Sequence, residues 1–284
     1  YVAGARLQLV DDNASTNYHA LQVQVRRRYS SGLSLTANYT FSKAMADAWI
    51  NNATQTLDYL TLRDLGRDRG PSTHDARHVF QSYFSYDLPF GKNRYFNLNN
   101  RLLDAVAGGW TLGGILTVQS GSIFQLTSGR FTFNGQDSGV ILAGGMTRSE
   151  LQKLVKIGPA SGLNQYFLDP KLIGPDGRAN PQYLQVPTEP GQLGEIVYLY
   201  GKNNFTMDAS LGKQVAITER IKFTLWVGAF NVFNHPVWSV PSVNQPLAPT
   251  AFPPNFSIQS TTFGQMTAPI NGARSMQLRA SLNF

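Results

Sequence analysis

Residues 33–42 alternate without a break. Leu33, Leu35, Ala37, Tyr39 and Phe41 fall on one side, and Ser34, Thr36, Asn38, Thr40 and Ser42 on the other. A period of two sends successive side chains to opposite faces of a β-strand. One face is therefore apolar, and the other is polar yet uncharged. The pattern returns at the end of the chain, where Met276, Leu278, Ala280, Leu282 and Phe284 oppose Gln277, Arg279, Ser281 and Asn283. Any fold for this chain must house long two-faced strands.

Five further stretches read the same way. At 18–29, Leu21, Val23 and Val25 oppose Gln22, Gln24 and Arg26, and Ser30-Ser31-Gly32 makes a tight turn into the 33–42 strand. At 78–88, Phe80, Phe84, Tyr86 and Leu88 share one face, and Pro89-Phe90-Gly91 ends the run. At 110–127, Trp110, Leu112, Leu116 and Val118 oppose Thr111, Thr117 and Gln119, with Gly113-Gly114 predicting a bend or bulge. Strands at 200–214 and 221–233 come next, separated by a short turn. Residues 1–10 form a weaker eighth candidate.

The connections alternate too. They are short at 30–32, long at about 45–75, medium at about 90–109, very long at about 128–199, short at 215–220 and long at about 234–274. In an antiparallel meander this parity sends every long connection to one end. Only the 90–109 link is longer than its end requires. Within 128–199, Thr147 and Glu150 make a capping-box pattern, with Leu151, Leu154 and Val155 after it, which predicts a short helix. Pro170, Pro175, Pro181, Pro187 and Pro190 favour an extended path beyond it. The aromatics Tyr166, Phe167, Tyr183 and Tyr198 are open to two readings: ligand contact, or packing of the loop on itself.

No segment approaches the ~20 apolar residues that a transmembrane helix needs. Charged residues make up only 14% of the chain and aromatics 12%. A membrane protein of this kind must span as a closed barrel, which satisfies its backbone groups in lipid. The polar faces are mostly Ser, Thr, Asn and Gln, which suits a wet interior. Tyr29, Tyr39, Phe41, Tyr86 and Trp110 lie near strand ends, where girdles at the two membrane interfaces would sit. A terminal amphipathic strand closing on Phe284 is the type of segment that barrel-assembly machinery reads. A soluble sandwich accounts less well for these three features. The expectation is an all-β, antiparallel transmembrane barrel in the cell outer membrane of a Gram-negative bacterium. Outer-membrane lipid would surround it, with short turns in the periplasm and long loops outside.

The net charge of +7 is scattered except at Arg26-Arg27-Arg28, and reads as a solvated rim with no nucleic-acid partner. The chain starts at Tyr1 with no leader segment, which we read as upstream sequence that is missing. There is no cysteine, so thiolate metal sites and disulfides are excluded. His74, Asp75 and His78 are too few and too unlike a known spacing to predict a metal site. His235, before Pro236, reads as a turn cap. Asp64, Asp68 and Asp75 among Arg63, Arg67, Arg69 and Arg77 read as a surface ion-pair network. No nucleophile elbow, P-loop or dinucleotide fingerprint occurs, so no catalytic residue, metal or cofactor is assigned and the chain is not expected to be an enzyme.

Several motifs carry a family resemblance. Asn17-Tyr18-His19-Ala20-Leu21-Gln22-Val23, Ala37-Asn38-Tyr39-Thr40-Phe41-Ser42-Lys43, Asp68-Arg69-Gly70-Pro71, Asp87-Leu88-Pro89-Phe90-Gly91-Lys92 and Gly108-Gly109-Trp110 are five of them. The most specific is Ile217-Thr218-Glu219-Arg220 together with Ala229-Phe230-Asn231-Val232-Phe233-Asn234-His235-Pro236. As a set they resemble the barrel of Oar-like TonB-dependent receptors, over most of the chain but not in the divergent 135–195 loop. The resemblance implies a barrel of about 22 strands with an N-terminal plug, energised through the TonB complex. Residues 1–284 would then be the C-terminal portion of that barrel, seven or eight strands without the plug. They would form barrel wall and outer loops facing an unknown extracellular ligand. The alternative is a small stand-alone barrel acting as an adhesin, anchor or pore.

Overall fold

A tight hairpin opens the fold. Strand β1 (Thr16–Ser30) turns through Ser31 and Gly32 into β2 (Leu33–Ala46). Both turn residues have positive φ, 52° and 82°. That is the geometry a two-residue hairpin connection favours. Gly32 is required twice over, because a Cβ there would lie 2.9 Å from the carbonyl oxygen of Asp87. The computed structural model describes residues 14–47, 60–61, 63–72, 74–92, 94–97, 99–132, 137–158, 165–218, 220–237, 256–266 and 272–283. The expected strand at 1–10 and the terminal Phe284 lie outside the described residues.

Five more long strands continue the meander: β3 (His78–Asp87), β4 (Trp110–Gln119), β5 (Asn204–Ala216), β6 (Lys222–Phe230) and β7 (Ser275–Asn283). Each is antiparallel to its predecessor, and the order in the sheet is the order in the chain. The two-residue strand Gly70–Pro71 adds to the loop end of β2. Strands β1 and β7 are the edges, and they do not pair with each other. The sheet is therefore an open wall among the described residues.

Register turns the sequence alternation into two continuous faces. Tyr39 pairs Phe80, which pairs Val118, which pairs Phe205. Leu112 pairs Leu211, which pairs Val227, which pairs Leu278. These rows make one apolar face across the wall. The opposite face carries rows such as Ser34, Ser85, Gly113, Ser210, Gly228 and Gln277.

Two expectations need correction. Register runs unbroken through Gly113 and Gly114 on both sides, so no bulge occurs there. The glycines instead admit neighbouring side chains, the ring of Phe84 in the case of Gly114. The strand expected at 110–127 breaks at 120–122, where a Cβ on Gly121 would collide with the carbonyl oxygen of Gly201. Past the break the chain leaves the wall.

Beyond residue 122 the chain builds a separate body with its own core. Ile123–Leu126 pairs Val197–Tyr200, Ile141–Leu142 pairs Leu184–Gln185, and Gln165–Leu168 pairs both Val155–Gly158 and Gln265–Met266. A short helix stands at Arg148–Lys153, closed at its start by the expected Thr147/Glu150 capping box. The core gathers Phe124, Leu126, Leu151, Phe167, Leu168, Leu172, Val197, Ile258 and Phe263, all nearly sealed from solvent. Phe124 stacks on Phe256 at 4.1 Å and meets Phe167 edge-on at 5.4 Å. Two long loops, distant in sequence, thus close into one cap at the loop end of the wall.

Candidate functional site: an exposed apolar wall and its outer cap

The burial pattern is inverted relative to a soluble sheet. The buried apolar core lies in the cap, while the apolar face of the wall is open. On β2, inside the wall, Tyr39 is 36% exposed and Phe41 42%, and on the edge strands Leu21 reaches 60% and Leu278 73%. Soluble monomers seldom show an apolar patch beyond a few hundred Å². From His78 to Tyr86 the face runs eight residues along β3, which at ~3.4 Å per residue is ~27 Å. That is close to the ~25 Å apolar band of a transmembrane barrel. The strands run from nine to fifteen residues, enough for a tilted span.

The other face is mostly polar, with Tyr83, Ile115 and Phe230 exposed among its polar residues. Gln24 donates to Asn38 at 2.7 Å across β1 and β2. A recess of about 770 Å³ opens on β6 and β7, with Thr224, Trp226, Gln277, Arg279, Ser281 and Asn283 among its walls. Apolar outside and polar inside is the order expected of a barrel around water.

The outer membrane beta barrel domain family matches this chain over residues 2–277. The chain belongs to that family. It resides in the outer membrane, and its exposed apolar face is the surface such a barrel turns to lipid. A search of curated proteins and a search of solved structures each gave no match. In barrels of this kind the short turns are periplasmic and the long loops outside.

Against this outer membrane barrel the strand-end aromatics divide into two groups. Tyr39 and Phe41 stand on the apolar face toward the loop end. There the Tyr39 hydroxyl and His78 Nδ1 share a 2.8 Å hydrogen bond, and the Phe41 ring lies 5.2 Å from the imidazole. Tyr86 and Trp110 stand on the same face at the turn end, where Trp110 Nε1 donates to the Val106 carbonyl at 2.9 Å. Tyr29, also at the turn end, makes a different contact. A bulge between Arg27 and Ser30 turns it toward the polar side, and its hydroxyl donates to Asp87 at 2.5 Å. Met276, Leu278, Ala280 and Leu282 line the apolar face of β7, in register with Ala229, Val227, Leu225 and Phe223.

Among the described residues no salt bridge of the expected network joins Asp64, Asp68 or Asp75 to Arg63, Arg67, Arg69 or Arg77. Asp75 is buried: its Oδ1 accepts from the Ala44 amide and its Oδ2 from the Tyr200 hydroxyl, both at 2.7 Å. It thereby ties β2 to the cap. Asp68, also buried, accepts the Leu60 amide with both oxygens at 3.1 Å. Burial pushes its carboxyl up to about 6. Arg69 does pair, but with Asp47 and Asn17 instead of its loop neighbours. Backbone amides claim Asp75 and Asp68 because both sit under the cap, which a one-dimensional charge pattern cannot show. Among the described residues no three His, Asp or Glu side chains gather as metal ligands would.

The loop aromatics mostly pack the cap. Phe167 is fully buried, Tyr166 accepts from Gln265 at 3.3 Å, and Lys171 lies 5.6 Å from the Tyr183 ring. Tyr198 lies so close against Gly70 that a Cβ there would strike its ring. Burial raises the hydroxyl pKa of both Tyr198 and Tyr200. Sequence reasoning does not find Asp137, whose carboxylate accepts from the amides of Ser128, Gly129 and Gly139 and folds the start of the cap. An Asp nine residues past a serine carries no recognisable spacing.

Proposed function

We propose that these residues are the C-terminal part of a TonB-dependent outer-membrane receptor, forming barrel wall and a ligand-facing outer cap. The observation that supports this reading is the pair of edge strands with no further strand partner among the described residues. Strand β1 is exposed along its whole length and β7 along most of it. Unpaired backbone groups are costly in hydrocarbon, so a lipid-embedded wall must close through further strands. A barrel of about 22 strands with a central plug would supply them. The Oar-like motifs at 87–92, 108–110 and 217–236 point to the same class. In this reading the plug and the segment that meets the TonB complex lie in sequence outside these 284 residues. Barrel-assembly machinery would engage β7, and the chain would bind and admit a ligand without catalysing a reaction.

The size of the native polypeptide tests it. Outer membranes are resolved on a denaturing gel and probed with an antibody to residues 275–284. A band on the order of 100 kDa, as a plug plus about 22 strands requires, supports the receptor. A band near the 31.3 kDa of this chain sinks it and leaves the small stand-alone barrel.

A further inference from the structure

The link between β3 and β4 holds a helix that faces the wrong way for a protein in water. Helix α1 (Arg101–Ala107) starts at Asn100, whose side chain accepts from the amides of Leu102 at 2.9 Å and Leu103 at 3.3 Å. Its acid turns inward, since Asp104 Oδ1 accepts from the Lys92 amide at 2.7 Å. Leu102, Leu103 and Val106 turn outward, 77%, 57% and 71% exposed. Tyr95, Phe96 and Phe90 of the same link are exposed too, with the Phe96 ring against both of the others. A helix that hides its acid and presents its leucines is amphipathic with the usual sides exchanged.

Its attachment decides what it faces. Trp110 and Lys213 are register partners on the apolar face of the wall, at its turn end. Trp110 Nε1 donates to the Val106 carbonyl at 2.9 Å, and Lys213 Nζ donates to the same carbonyl at 2.9 Å and to that of Gly108 at 2.6 Å. The ammonium lies 4.8 Å from the Trp110 ring centre. The last carbonyls of α1 are thus satisfied by two residues of the lipid-facing surface, and a cation sits at the negative end of the helix. A protonated amine and an indole anchored at the rim of an apolar band are features of a membrane interface.

We infer that α1 is an interfacial helix that inserts Leu102, Leu103 and Val106 into the periplasmic leaflet of the outer membrane. Its occupant is phospholipid, because the exposed leucines continue the surface that the wall already gives to lipid. Lys92, exposed beside the apolar cluster, suits a phosphate-bearing headgroup layer, whereas Arg94 is held by Asp87 at 3.3 Å. This also explains why the link is longer than a turn: it carries a lateral anchor, of the kind that lies ~5–10 Å deep at the headgroup boundary. The inference rests on the outer-membrane wall and is independent of the TonB reading.

These 284 residues hold no cysteine, so once any cysteine elsewhere in the full protein is replaced by serine, single spin labels can be placed in it in native outer membranes. Val106→Cys and Leu102→Cys report on the helix, Leu278→Cys on the wall and Ser31→Cys on the periplasmic turn. Each label is challenged with oxygen, which concentrates in hydrocarbon, and with a water-soluble nickel chelate. The expected result is that both helix labels lose nickel access relative to Ser31→Cys and gain oxygen access toward the level of Leu278→Cys. Nickel access equal to that at Ser31→Cys overturns the inference, because the helix then faces water. Shielding from both reagents overturns it as well, because protein then covers the helix. If Leu278→Cys reads as water, the wall assignment falls and the helix assignment falls with it.

Discussion

The ring of Phe84 lies across Gly114, its register partner on the next strand, and leaves no room for a side chain there. A Cβ on Gly114 would lie 2.6 Å from two ring atoms of Phe84. The glycine weakens the strand by itself, and the aromatic covers the gap, a known pairing in sheets. Gly114→Val is therefore expected to destabilise the wall by ~1–3 kcal/mol through overpacking. Adding Phe84→Ala should recover part of the loss. Urea unfolding in lipid vesicles, monitored by gel mobility of unheated samples, reads both. Equal stability of Gly114→Val and the parent would mean that the ring does not lie there.

The two faces should respond oppositely to charge. Val227 is a central apolar-face residue, flanked by Leu211 and Leu278. Placing arginine there puts a cation in hydrocarbon, and Val227→Arg should cost ~2–4 kcal/mol. Thr224 lies on the polar face of the same strand and lines the recess. Thr224→Lys should stay within about 0.5 kcal/mol, as a solvated substitution does. The same unfolding measurement compares them. A larger effect at Thr224 than at Val227 would exchange inside and outside.

The wall is legible in the sequence because each strand has one face against lipid and one against water. That demand prints a local period of two at Leu33–Ala46 and Ser275–Asn283 alike. The cap is not legible, because its core joins Phe124, Phe167 and Phe256 across more than a hundred residues. No local period announces such a union. The capping box at Thr147 is readable because it is complete within four residues. Helix α1 escapes sequence reading for a different reason. An amphipathic helix ordinarily directs its apolar face inward, and α1 directs its own out. The Asn100 cap and the helix-forming Leu102 to Ala107 stretch are the signal it leaves.

The cap should loosen when Asp75 is removed. Asp75→Ala leaves the buried Ala44 amide without its partner and strips the Tyr200 hydroxyl of its acceptor. An orphaned buried donor costs ~1–3 kcal/mol. Tyr200→Phe removes one bond and leaves Ala44 satisfied, so it should cost only ~1 kcal/mol. Limited proteolysis of intact cells reads the difference as faster cleavage of the outer loops in Asp75→Ala. Equal cleavage in the two variants would show that the junction does not depend on the carboxylate.

The segment that buries Asp68 should be held less firmly as pH rises through about 6. Burial raises the Asp68 carboxyl from its ordinary 3.8 to about 6, against the opposing pull of the Leu60 amide and Arg67. A raised acid binds its proton more tightly when folded than when open. Its contribution is therefore complete below the open-state value and declines as pH climbs through the folded one. Between pH 5 and 7.5 the difference amounts to about one pKa unit, or ~1.4 kcal/mol. Opening of this segment should become about tenfold more frequent over that range. Hydrogen exchange at the Leu60 amide, corrected for the intrinsic pH dependence of exchange, measures it. Asp68→Asn keeps the shape and one acceptor but cannot ionise, so its corrected exchange should be flat between pH 5 and 7.5. A parent protein as flat as the variant would mean that the Asp68 carboxyl is not held in its raised state.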